Sequence, residues 1–133
     1  MTEREIDEWF TTYIAEFAAL GRGDIDDERR ILAYYGAPML LSSDTATLVL
    51  ADEEQVLDMA RRQITALRAA GYARTEVLFS ETTLLNSTCA LHRGRFARYS
   101  RDGSEITRLQ ATYVITSGQV GPHITTLALH TAT

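Results

Sequence analysis

The chain contains no lysine: all 13 of its strongly basic side chains are arginines. That absence excludes a Schiff-base lysine, pyridoxal phosphate attachment and the lysine of a phosphate-binding loop. Arginine in place of lysine is also what a GC-rich coding sequence produces. A single cysteine, Cys89, excludes an intrachain disulfide. No motif surrounds it, so it reads as a small buried hydrophobe or an interface residue. The three histidines, His92, His123 and His130, lack the close spacing of metal ligands. No apolar run approaches the ~20 residues needed to span a bilayer. The opening "MTEREIDEWF" is charged and lacks a signal-peptide core, so a reducing cytoplasm is the expected location. A net charge of −5 argues against nucleic acid as the main partner. The expectation is therefore a protein with no metal, no organic cofactor, no nucleic-acid partner and no membrane segment.

What is present fits one domain over residues 1–133, long enough for a single core. Thr2 and Glu5 have capping-box spacing. Ile6, Trp9, Phe10, Tyr13, Ile14 and Phe17 then recur at helical steps, and Gly21 and Gly23 end the helix. A short second helix is expected from Asp24 or Asp26, carrying Ile31, Leu32 and Tyr35 and closed by "YYGAP". "PMLLSS" and "ATLVLA" flank Asp44-Thr45 as a small hairpin. Asp52, with Gln55 three residues on, starts a third helix whose apolar stripe is Val56, Leu57, Ala60, Ile64 and Leu67. "ARTEVLFSE", "LLNSTCALHRGRFARYS", "SEITRLQATYVITS" and "HITTLALHT" are four antiparallel strands, the second expected to bend at Gly94. The order α-α-β-β-α-β-β-β-β, with helices on one face of the sheet, is that of an α+β domain.

Asp102-Gly103 predicts a two-residue type I′ turn pairing Arg101 with Ser104. His92 then lies opposite Tyr113, on a face shared with Ala90, Gly94, Phe96, Leu109, Ala111 and Ile115. The other face carries Arg93, Arg95, Arg108 and Gln110 among Leu91, Tyr99 and Val114. Burying unpaired arginines costs several kcal/mol, so the first face should meet the helices.

The chain resembles the nuclear transport factor 2-like superfamily, which includes ketosteroid isomerase, scytalone dehydratase and the polyketide cyclases. The likeness covers the element order. Locally it rests on "TYIAEFAALGRGDID", "YYGAPMLLSSDT" and "ATYVITSGQVGPHITTLALH". The family's usual Gly-Trp-Arg-Ile is replaced here by Gly121-Pro122-His123-Ile124. The resemblance implies a cone in which a curved sheet wraps the long first helix, and an apolar pocket at the wide end. It implies pairing of two copies through the outer sheet face, here Arg93, Arg95, Arg108 and Gln110. Tyr13 matches the family's oxyanion-donating tyrosine. The base position falls near Ser42, with Asp44 two residues on, and no acid stands at the second donor position near Arg95 or Phe96, which makes steroid isomerisation a poor fit. Pocket residues are expected to be Trp9, Tyr13, Phe17, Tyr35, His92 and Tyr113. Of these His92, Tyr13 and Tyr113 are the catalytic candidates, with His92 and Tyr113 as an acid/base pair or as a satisfied core pair. Two functions are compatible with this pattern. One is binding of a small, mostly apolar molecule, with isomerase, dehydratase or cyclase chemistry needing no cofactor. The other is a dimeric structural or interaction domain with a filled cone.

Overall fold

The computed structural model describes residues 1–131. Helix α1 (Glu3–Arg22) starts where the Thr2 hydroxyl accepts the Glu5 N–H at 3.1 Å. It ends at Gly23, whose N–H reaches the carbonyls of Ala19 and Leu20. Its buried face is Ile6, Phe10, Tyr13, Phe17 and Leu20, with Trp9 and Ile14 half-buried beside it. The next turn is a 3₁₀ helix, Glu28–Ala33, capped by Asp27 and later than expected, because Asp24 is held by Arg22 at 2.8 Å instead of opening a helix. Tyr35, expected on that helix, begins strand β1 (Tyr35–Ser42), which pairs with β2 (Thr47–Leu50). Helix α2 (Glu53–Ala69) has a reciprocal cap: Asp52 accepts the Gln55 N–H at 2.9 Å, and Gln55 accepts the Ala51 N–H at 2.8 Å.

Four long strands complete the chain: β3 (Tyr72–Asn86), β4 (Cys89–Ser100), β5 (Glu105–Gly118) and β6 (Gly121–Thr131). The stretch expected as one strand from Leu84 to Ser100 is broken at Ser87-Thr88, where the Asn86 side chain accepts the Thr88 N–H at 2.8 Å and makes a local turn. The curved sheet has the order β2-β1-β6-β5-β4-β3. Its long strands are antiparallel, and β1 joins β6 in parallel. α1 lies across the inner face, against β3.

The β4–β5 turn differs from the expected one. Asp102 has negative φ, which a type I′ turn forbids, and only Gly103 is left-handed, at φ 86°. The loop is one residue longer, with Ser100 bonded to Ser104, and the Asp102 carboxylate accepts the Ser104 N–H at 2.9 Å. One extra residue in β5, Ile106, absorbs the offset, so from Arg98–Thr107 onward the pairs are those expected: Phe96–Leu109, Gly94–Ala111, His92–Tyr113 and Ala90–Ile115. Ala90, His92, Phe96, Ala111, Tyr113 and Ile115 are buried, while Arg93 and Arg95 are exposed.

No bulge occurs at Gly94 in the β4–β5 pairing. Glycine is needed there for a different reason: a Cβ would collide with the tip of the Phe96 ring. The sheet is instead distorted on β3, where Leu78 is extra between the pairs Val77–Phe96 and Phe79–Arg95. One inserted residue reverses the parity of the rest of the strand, which turns Phe79 and Glu81 outward and Ser80 and Thr82 inward.

Candidate functional site

Two cavities adjoin the expected site residues, and the Phe10 ring lines the smaller of them. The larger, about 420 Å³, is lined by Tyr13 and Phe17 of α1, Asp44 of the β1–β2 turn, Arg98 of β4, Tyr113 of β5 and Leu127, Leu129 and His130 of β6, among others. The Tyr13 and Tyr35 hydroxyls are 2.7 Å apart, and the edge of Tyr113 faces Tyr13 with ring centroids 6.1 Å apart. Burial raises all three phenols, Tyr35 to about 12, and the nearby Arg98 charge pulls each partly back. They are therefore protonated at neutral pH; one proton of the Tyr13–Tyr35 pair is spent on their mutual bond, which leaves the other member of the pair free to donate.

Arg98 lines this cavity although it was not among the expected pocket residues. It lies two positions beyond Phe96 and so shares the inner face by strand parity alone. Its guanidinium carbon is 5.6 Å from the Phe17 ring centroid. Among the described residues its fully buried Nε has no hydrogen-bond partner, and no carboxylate pairs with the guanidinium. A guanidinium half-sunk in an apolar wall is costly unless an acceptor meets it.

The other expected pocket residues divide. Tyr13, Phe17 and Tyr113 line the cone cavity, and Tyr35 backs it through its bond to Tyr13. Trp9 stands outside it, stacked on Tyr13 and tilted against Tyr34. His92 is not in the cone cavity, and the expected His92–Tyr113 bond is absent. Their ring centroids are 6.2 Å apart, and Phe10 intervenes, stacked on His92 at 3.8 Å and edge-on to Tyr113 at 4.8 Å.

His92 instead faces the smaller cavity, about 340 Å³, lined by Asp7, Phe10, Thr11, Ile14, Val77, Ser80, Thr82 and His92. The Thr82 hydroxyl gives its one proton to the Asp7 carboxylate at 2.5 Å. Its oxygen must then accept from His92 Nδ1–H at 2.7 Å. That fixes the tautomer: Nε2 carries a lone pair and receives the Ser80 hydroxyl at 3.1 Å. Burial lowers the imidazole to about 4, partly opposed by the Asp7 charge, so the ring is neutral at pH 7.

On the outer face the arginines are already engaged. Arg93 meets Glu81 at 2.5 Å, Arg108 meets Glu105 at 2.6 Å, and Arg95 lies 5.3 Å from the centroid of the Phe79 ring. Arg108 also borders the mouth of the cone cavity, and Gln110, opposite Arg95, is half-buried. Among the described residues, no three His, Cys, Asp or Glu side chains gather to hold a metal ion, and no helix is long and apolar enough to cross a membrane.

A family model described as NTF2-like protein (DUF6841) matches residues 3–132. No curated protein matches. Among solved structures, the chain is similar to an NTF2-like protein with a cystatin-like fold from Novosphingobium aromaticivorans, with TM-score 0.73 and 13% identity over 97% of this chain and 81% of that one. It is similar to the yeast UBP3-associated protein BRE5, with TM-score 0.72 and 12% identity over 100% and 98% of the two chains. It is also similar to an NTF2-like protein from Shewanella oneidensis, with TM-score 0.66 and 15% identity over 91% and 95%.

Proposed function

Because the chain belongs to the NTF2-like family DUF6841, we propose that its cone cavity binds a small, mostly apolar molecule through an anionic oxygen placed against Arg98. The observation that carries this reading is the buried Arg98 Nε, which has no partner among the described residues. Leu109, Leu127, Leu129 and Phe17 supply apolar wall, and the space falls within the ~300–1,000 Å³ of small-molecule sites. A carboxylate, phenolate or enolate would take the guanidinium hydrogen bonds, with the Tyr13–Tyr35 hydroxyl pair close by. The same donors would stabilise an oxyanion that develops during isomerisation, dehydration or cyclisation. Asp44 and His130, which line the same space, are the groups available to move a proton there.

Calorimetric titration with matched pairs of small aryl and alkyl carboxylates and their primary amides tests this. In the native protein each carboxylate should bind about 10–100-fold more tightly than its amide, the worth of a charge-assisted hydrogen bond. An Arg98→Met variant should lose the difference. Equal binding of acid and amide, or a preference that survives in the variant, would sink the reading.

A second reading, self-association through the outer sheet face, is supported by the state of that face. Phe79 is 37% exposed under Arg95, and half-buried Leu91 and Val114 lie further along the same outer face, beyond the Glu81–Arg93 pair. With Arg93 neutralised by Glu81, the patch has apolar area and little net charge to repel a second copy. Sedimentation should show a dimer at tens of micromolar, and Arg95→Glu should shift it to monomer by placing like charge beside Glu81. A native monomer, or a variant dimer of unchanged strength, would remove this reading.

A further inference from the structure

We propose that Ser80, His92, Thr82 and Asp7 form an acyl-transfer centre, separate from the cone cavity, that takes a short apolar acyl group from an activated ester such as an aryl ester or thioester. The chain of bonds has a single direction. Asp7 accepts from Thr82 at 2.5 Å, Thr82 accepts from His92 Nδ1 at 2.7 Å, and His92 Nε2 accepts from Ser80 at 3.1 Å. A hydroxyl bonded to an imidazole whose other nitrogen is oriented toward a carboxylate is the arrangement that nucleophilic catalysis requires. Here a threonine hydroxyl bridges the last step.

The surroundings fit the assignment. Ser80 is exposed on β3, one of the two edge strands of the sheet, so a reactant can reach it. His92 is 1% exposed, with its ring held face to face by Phe10, so the base cannot swing away. Phe10, Ile14 and Val77 line the adjoining 340 Å³ and offer apolar wall for an acyl chain. Satisfying a buried histidine does not by itself call for an exposed serine on Nε2 beside an open apolar space.

The step balances with water as the only co-reactant. Ser80 Oγ attacks the acyl carbon while its proton passes to His92 Nε2. The bond from the acyl carbon to the leaving oxygen or sulfur then breaks, and that atom takes the proton from His92, leaving acyl-Ser80 and a free phenol or thiol. Water next attacks acyl-Ser80, gives one proton to His92, and the carboxylic acid leaves as Ser80 recovers it. The imidazole is a weak base, since burial lowers it to about 4. That limits the reaction to acyl groups on good leaving groups.

The test is p-nitrophenyl acetate and p-nitrophenyl butyrate mixed with the full chain, read by p-nitrophenolate release and intact mass. The expected result is a burst approaching one equivalent and one added acyl group, mapped by peptide mass to Ser80. Ser80→Ala should abolish both. Thr82→Val and Asp7→Asn should slow the burst at least tenfold with the fold unchanged by circular dichroism, while Thr82→Ser should restore it, as a positioning role requires. An acyl group found on another residue, a burst unchanged in Ser80→Ala, or no release above the rate in buffer would each overturn the assignment.

Discussion

Replacing Phe10 by alanine should lower the unfolding free energy by about 3–5 kcal/mol. Phe10 is 4% exposed and is the hub of the inner aromatic cluster, with ring centroids 3.8 Å from His92, 4.8 Å from Tyr113, 5.3 Å from Tyr13 and 6.4 Å from Phe96. The neighbours cannot collapse into the space. Tyr13 is tied to Tyr35, His92 is held by Ser80 and Thr82, and Phe96 rests on Gly94. The ring also lines the smaller cavity beside His92, so its loss would widen that space and remove the face against which the imidazole is stacked. Urea unfolding of the variant against the native protein measures the effect. A loss below about 1 kcal/mol would mean that the cluster repacks around the missing ring.

The second large effect is on pH. Stability should fall by about 2–3 kcal/mol as pH drops from 6.5 to 4, from His92 alone. The unfolded histidine takes its proton near 6.5, whereas in the fold burial holds the imidazole at about 4. Above 6.5 both states are neutral, and the contribution is complete. Between the two values the unfolded state binds a proton that the folded state refuses, so stability is lost as pH falls through that window. Asp7, reached through Thr82, opposes the shift without cancelling it. Urea unfolding at steps between pH 7 and 4 should show a native curve steeper than that of a His92→Gln variant, by at most ~1.4 kcal/mol per pH unit. Parallel curves would show that the imidazole is not held neutral.

Both effects depend on arrangements that differ in how far they could be read from the chain. Local chemistry was enough for the helix ends, because Thr2, Asp52 and Gln55 act on backbone groups within four residues. Period-two alternation was enough for the inner face of β4 and β5. Even with the turn type wrong, the extra residues in the loop and at Ile106 cancel, and His92 stays opposite Tyr113. The same alternation already placed Arg98 inside, since Arg98 comes two residues after Phe96.

The rest depended on contacts between distant parts of the chain. Pairing of Tyr35 with Ile124, and of β1 with β6 generally, joins segments with most of the chain between them, and no local pattern encodes it. Whether His92 touches Tyr113 depended on where α1 lays Phe10, a contact between elements over eighty positions apart in the chain. The inward turn of Ser80 and Thr82 depended on one bulged residue, Leu78. Alternation read from Val77 without it puts Phe79 and Glu81 inside and both hydroxyls outside. A bulge is chosen by the curvature the sheet needs around α1, a property of the assembled sheet and not of the strand. The cone and most of its inner wall were therefore legible in the chain, while the setting of Arg98 with Tyr13 and Tyr113, and of His92 with Ser80 and Phe10, arose only when α1 was packed against the sheet.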